Sequence, residues 1–224
     1  VNDDLLSTLE LKADPRHAAL IVIDVQNDFV ADDGFFGRIG ADVKTIQRER
    51  IPALLNLIEH ARAAGVLVVF VQAIYDPQYV SPAMRERNLR RKVEMPRCLT
   101  GEWGSDFYAV RPLPHDPVII KHRYSAVPNT ELLPTLEKHG IRSLLLTGVS
   151  TDTCVESTGR DAYFVDYYVS IVRDCSGAYS ERDHEGALER FDRDYGAVLT
   201  SSELIQVWDR NPAAVATDKV ALDA

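Results

Sequence analysis

Short apolar runs alternate with amphipathic helical segments along the whole chain, and this alternation predicts a mostly parallel α/β sheet with helices on both faces. A length of 224 residues fits one such domain, spanning 1–224 with an ordered core at about 16–210. Three of the apolar runs also lead to a charged or reactive side chain. Ile21-Val22-Ile23 ends on Asp24, Val118-Ile119-Ile120 ends on Lys121, and the run through Thr147 passes a polar turn to Cys154. In open α/β sheets ligands bind outside the carboxyl ends of the strands, where these three residues fall.

The elements follow in order. Residues 18–25 read as a buried strand. Ile51, Leu54, Leu55, Ile58 and Ala61 recur at helical spacing, and Gly65 closes that helix. Residues 66–71 form the second strand and 118–121 the third. Asn129 or Thr130 caps a helix through Lys138, with Gly140 after it. The fourth strand is 143–147, followed by a helix over 153–165. The fifth strand is 168–172, then a helix at 180–194, a short sixth strand at 197–199, and a last helix opened by Ser201 or Ser202 and running through Trp208. The tail after Pro212 is small and polar and is expected to fray. The stretch 73–116 lacks periodicity and carries Arg85, Arg87, Arg90, Arg91 and Lys92, then Trp103. It reads as a partly helical lid over the strand ends.

Composition narrows the partners. A formal net charge of −9 disfavours duplex nucleic acid and anionic membranes. No apolar run is long enough to cross a bilayer, and the polar, acidic residues 1–15 carry no signal-peptide pattern. Three cysteines, Cys98, Cys154 and Cys175, without a CxxC spacing suit a reduced, cytoplasmic protein. The six histidines, His17, His60, His115, His122, His139 and His184, show no metal-ligand spacing, so neither metal nor cofactor is expected.

Cys154 lies where a strand, a polar turn and a helix start meet. The partial positive charge of a helix N-terminus favours a thiolate, although a free cysteine is also a small buried hydrophobe. Lys121 alone would be a solvated strand end. Asp24 alone would cap a turn, and Asp28 competes for its role but reads as structural. Together the three fit one chemistry: Asp24 as general base, Lys121 as electrostatic partner and Cys154 as nucleophile on a carbonyl, with backbone N–H groups of the turn holding the oxyanion.

The run AALIVIDVQNDFV, the lysine of VIIKHRYSAVPNT, and LLLTGVSTDTCVESTGRDAYFVDYYVSIVRDCSGA resemble the isochorismatase-like cysteine hydrolases over roughly residues 16–210. The resemblance implies a Rossmann-like α/β/α sandwich of six strands and an Asp–Lys–Cys triad at Asp24, Lys121 and Cys154. It also implies a cis peptide at Val149–Ser150, oxyanion donors at the N–H groups of Ser150 and Cys154, and assembly as a homo-oligomer, a dimer or tetramer. Members that hydrolyse a vinyl ether lack the cysteine, so Cys154 points to amide chemistry. Nicotinamidases carry a metal-binding Asp-x-His after the second strand, where this chain has Gln72-Ala73-Ile74-Tyr75-Asp76-Pro77. Gln72 with Asp76-Pro77-Gln78-Tyr79-Val80, Gly101-Glu102-Trp103, Lys121-His122-Arg123-Tyr124-Ser125 and Cys154-Val155-Glu156-Ser157-Thr158 resemble the ureidoacrylate amidohydrolases, with biuret hydrolases and N-carbamoylsarcosine amidohydrolases as near relatives, so the resemblance implies a small ureido or carbamoyl substrate as partner. Other readings are a nicotinamidase-like amidase and a non-catalytic binding member of the fold. Phe35, Gln72, Trp103, Tyr124 and Arg90 are the candidate substrate contacts. An arginine among Arg85, Arg87, Arg90 and Arg91 is expected to grip a substrate carboxylate, against the plainer reading of a solvated helical face. Asp174, read as the end of the fifth strand, is expected to cap the next turn.

Overall fold

In the computed structural model, which describes residues 5–92 and 96–210, the six strands are β1 Ala18–Ile23, β2 Leu67–Ala73, β3 Val118–Lys121, β4 Ser143–Val149, β5 Tyr168–Gly177 and β6 Ala197–Leu199. They form one sheet in the order β3-β2-β1-β4-β5-β6, and every pairing is parallel. The described helices are α1 Leu9–Lys12, α2 Asn27–Val30, α3 Phe35–Arg38, α4 Val43–Thr45, α5 Ile51–Ala63, α6 Pro82–Arg90, α7 Leu132–Lys138, α8 Glu156–Tyr163, α9 Glu181–Asp194 and α10 Ser201–Arg210.

The central strands β1 and β4 are buried at every position, which is why their sequences read as unbroken apolar runs. Alternate residues serve the two faces. Leu20 and Val22 face a core built with α5 and α10, through Leu54, Leu57, Ile58, Leu204 and Trp208. Ile21 and Ile23 face the opposite core, with Leu132 and Leu136 of α7, Ala162 of α8, and Leu188 and Phe191 of α9. The edge strand β3 alternates exposed and buried, as a strand covered on one face does. Among the described residues no helix is long and apolar enough to cross a membrane.

Several boundaries differ from expectation for local reasons. The first strand stops at Ile23: the Asp24 N–H still donates to Val71 O at 3.0 Å, but its positive φ of 52° turns the chain out of the strand. The fifth strand does not end at Val172 but runs to Gly177 past a register shift opposite Leu146 and Gly148. Arg173 and Asp174 looked like a strand end, but Arg173 turns out to pair with Glu185. Asp174 accepts from the Ser201 N–H and hydroxyl at 2.8 and 2.5 Å, so it secures the start of α10 and not the next turn. The cap of α10 is Thr200, not Ser201 or Ser202. Its hydroxyl accepts from the Glu203 N–H at 3.3 Å, and the Glu203 carboxylate accepts from the Thr200 N–H at 2.8 Å, a reciprocal capping box. Thr130 serves Leu132 at the start of α7. The tail after Pro212 lies outside the described residues.

Among the described residues of 73–116 the one α-helix is α6, none of it buried, and a strap within 96–116 returns to the sheet. The strap is tied at Gln26–Phe107 by a β-bridge, and by Asn27 N–H to Asp106 O and Tyr108 N–H to Val25 O. Gln26, fully buried, clamps the β2 end: its amide oxygen accepts from Ala73 N–H, and its amide nitrogen donates to Ala73 O and Ser105 O.

Candidate active site

The sheet order reverses direction between β1 and β4, and the crevice at that switch point is where the three chemical side chains meet. Asp24 follows β1. Cys154 follows β4. Lys121 closes β3, two strands away, and reaches back past the end of β2. Its Nζ lies 2.7 Å from Asp24 Oδ2, and both side chains are fully buried. The Lys121 ammonium donates instead to the carbonyls of Arg123 and Tyr124, each at 2.9 Å. Neither Asp24 oxygen has a well-aligned hydrogen bond. The carboxylate is therefore charge-paired with Lys121 and within hydrogen-bonding range of the Cys154 thiol.

The turn that carries Cys154 is built from unusual backbone. The helix leading into α8 opens with a π-turn, Thr151–Val155, a feature common at functional sites. The Val149–Ser150 peptide is cis. The N–H groups of Thr153 and Val155 both donate to Ser150 O at 3.1 Å, while the Cys154 N–H between them does not. Gly148, at φ 104°, allows this approach, since a Cβ there would stand 2.0 Å from Ile23 O, beside Asp24. The turn is braced from α9, where buried His184 shares a 2.9 Å hydrogen bond with the Thr151 hydroxyl. Burial holds that imidazole below its ordinary pKa, so it stays neutral. Nothing in the sequence spacing distinguished His184 from the other histidines.

Electrostatics correct one expectation. A helix start alone would favour the thiolate, but Cys154 is only 4 % exposed and burial pushes its thiol up to about 12. Lys121 pulls it down and Asp24 pushes it up. Full desolvation outweighs a fraction of a charge at a helix end. Burial also raises Asp24, with Lys121 opposing. Lys121 loses proton affinity to burial but gains more from Asp24, Cys154 and Tyr75, and stays an ammonium. With Asp24 and Lys121 read as an ion pair from their 2.7 Å approach, the resting set is carboxylate, ammonium and neutral thiol. Moving the thiol proton to Asp24 keeps its net charge at zero, and the raised carboxylate makes that transfer easier.

Cys154, Ser150 and Thr153 form one side of a cavity of ≈ 290 Å³, small enough for a compact metabolite. Phe35 and Tyr124 line it, as do Tyr75, Arg87, Arg97 and Asp152. Three other candidates do not. Gln72 is spent on Ser105 O at 2.8 Å. Trp103, 52 % exposed, stands in a neighbouring cleft with Asp28 and Glu102. Arg90 points to solvent and pairs with Glu86 one helical turn back. No residue of α6 is buried, so its arginines mostly form the solvated face that was weighed against binding. His122 also stays out of the cavity, bound to Ile74 O and stacked on Tyr79. Asp28 is structural: its two oxygens accept from Phe35 N–H and Cys98 N–H at 2.9 and 2.6 Å.

Comparison with known proteins agrees with this architecture. The isochorismatase domain model matches residues 18–203. The ureidoacrylate amidohydrolase RutB of Enterobacter sp. (strain 638) is 35% identical over 206 residues, covering 84% of this chain and 88% of that protein. A cysteine hydrolase from Pseudomonas syringae pv. phaseolicola 1448A shares the fold, with a TM-score of 0.76 at 23% identity over 88% of this chain and 94% of the other. The N-carbamoylsarcosine amidase of Thermoplasma acidophilum superposes with a TM-score of 0.68 at 28% identity, covering 83% and 96% of the two chains. With a domain match that takes in all six strands and the whole switch-point crevice, the chain belongs to the isochorismatase family of hydrolases.

Proposed function

We propose that this protein is a cysteine-dependent amidohydrolase that cleaves the carbamoyl C–N bond of a small, ureidoacrylate-like substrate. The observation that carries the reading is the buried Asp24–Lys121 pair set against Cys154, whose turn lines a cavity of small-molecule size. The names of the similar proteins, a ureidoacrylate amidohydrolase and an N-carbamoylsarcosine amidase, support a carbamoyl substrate.

In this reading Asp24 takes the thiol proton as Sγ attacks the carbamoyl carbon. The developing oxyanion accepts from the Ser150 and Cys154 N–H groups. Asp24 then gives its proton to the leaving amine, and a carbamoyl thioester remains on Cys154. Water, deprotonated by Asp24, hydrolyses the thioester to carbamate, which breaks down to ammonia and carbon dioxide, and the thiol is restored. Lys121 stays charged throughout and balances whichever neighbour carries the negative charge. Assembly as a dimer or tetramer belongs to the same proposal, and Val118 and Ile120 on the edge strand offer apolar surface for it.

A substrate panel tests the assignment. Ammonia release should be fastest with 3-ureidoacrylate and slower with biuret, N-carbamoyl amino acids and nicotinamide. A clear preference for nicotinamide would replace this reading with an amidase of another class. Activity should also survive EDTA and phenanthroline, because among the described residues no group of three or more His, Cys, Asp or Glu could hold a metal ion. Loss on chelation with recovery on adding metal would revive the nicotinamidase alternative.

A further inference from the structure

Arg97 was not among the arginines the sequence pattern put forward, yet its surroundings set it apart from them. Its guanidinium lies over the rings of Phe35 and Tyr75, 5.3 and 5.1 Å from their centroids, on the wall of the catalytic cavity. Its Nε is buried and has no hydrogen-bond partner among the described residues. The neighbouring Tyr75 hydroxyl is in the same condition: the residue is 8 % exposed, lines the same cavity, and its oxygen has no partner. Buried donors of this kind are ordinarily satisfied. Both residues line the catalytic cavity, Arg97 also bordering the cleft of Asp28, Asp33 and Glu102, and two unsatisfied donors on that shared wall point to a ligand that accepts from both.

The scaffold around them is fixed. Asp28 accepts from the backbone N–H of Phe35 and from that of Cys98, the residue after Arg97, so one carboxylate joins the two walls that carry the stacked pair. Stacking between two rings also pre-orients a side chain that would otherwise lose much rotamer freedom on binding. Burial keeps the Tyr75 phenol protonated and able to donate. The charge of the cavity gives the sign of the ligand. Arg87 and Arg97 face it against Asp152, and the Asp24–Lys121 pair behind Cys154 is neutral overall. A single excess positive charge suits a monoanion better than a phosphate dianion, and a planar carboxylate matches the guanidinium fork.

We propose that Arg97, with the Tyr75 hydroxyl, binds the carboxylate of an anionic ureido acid and so determines the specificity of the site. This rests on the carbamoyl-hydrolase reading above and adds to it the charge and binding group of the substrate. The test compares 3-ureidoacrylate with its neutral carboxamide, both followed by loss of the ureido group, in wild type, Arg97→Met, Arg97→Lys and Tyr75→Phe. Methionine keeps an unbranched side chain between the rings and removes the charge. Wild type should prefer the acid at least about tenfold in kcat/KM. Arg97→Met should lose roughly 100-fold on the acid, mostly through KM, and less than about threefold on the carboxamide. Tyr75→Phe should lose about tenfold on the acid alone, and Arg97→Lys should recover part of the Arg97→Met deficit. Equal losses on both compounds, or an Arg97→Met enzyme within about threefold of wild type on the acid, overturn the assignment while the carbamoyl reading stands. Wild type that turns over neither compound overturns the carbamoyl reading and this assignment with it.

Discussion

Cys154→Ala should abolish turnover and leave the fold standing. The side chain is buried and small, so alanine fills the same space with a modest loss of packing, whereas the reaction loses its only proposed nucleophile. Cys154→Ser should fall at least about 1,000-fold as well, because a serine hydroxyl holds its proton far more tightly than a thiol. Trapping with a slow substrate followed by mass spectrometry should place the adduct on Cys154. Cys98 and Cys175 should stay unmodified, being buried, with thiols that burial also pushes above the ordinary range. A raised pKa is therefore common to all three thiols and does not single out the reactive one. What distinguishes Cys154 is the cavity beside it and a buried carboxylate, Asp24, within hydrogen-bonding range of its thiol. Retention of more than a small fraction of activity by Cys154→Ala would remove the covalent mechanism.

How much of this was legible in the sequence depended on range. The strands were readable because a parallel sheet buried on both faces demands unbroken apolar runs, and Ala18–Ile23 and Ser143–Val149 supply them. The positions of Asp24, Lys121 and Cys154 followed from the same pattern, since each comes at or just after a strand's carboxyl end. The cavity walls were not readable. Arg97 and Arg90 sit in one arginine-rich stretch, and only the fold shows that one lies between two rings while the other points to solvent. Gln72 and Trp103 were misjudged for a related reason. A polar amide and an exposed-looking indole both suggest binding, but Gln72 is consumed by Ser105 O and Trp103 lines a neighbouring cleft. The protonation of Cys154 was also beyond sequence pattern, because desolvation depends on everything packed around the thiol.

Asp24→Asn and Lys121→Met should each cost at least about 1,000-fold in kcat, and the double variant should lie within about tenfold of the worse single. The two side chains form one buried ion pair 2.7 Å apart, and each is needed for the same proton transfer. Asparagine cannot take the thiol proton. Without the ammonium, burial acts on Asp24 unopposed, so the carboxyl stays protonated and is no longer a base. Either change removes one function, and removing it twice adds little. The pH profile separates this from simple misfolding. Asp24 must be ionised to accept the proton, so kcat/KM falls as pH drops through its pKa, and burial places that fall above the ordinary carboxylate range. Lys121→Met takes away the charge that holds this pKa down, so the acid limb of the residual activity should move to higher pH. Breaking a buried pair also destabilises the protein by about 3–5 kcal/mol, so each variant is compared at a temperature where it remains folded by circular dichroism. Losses that multiply in the double variant, or an acid limb that Lys121→Met leaves in place, would mean that Asp24 and Lys121 serve separate steps and that the thiol gives its proton elsewhere.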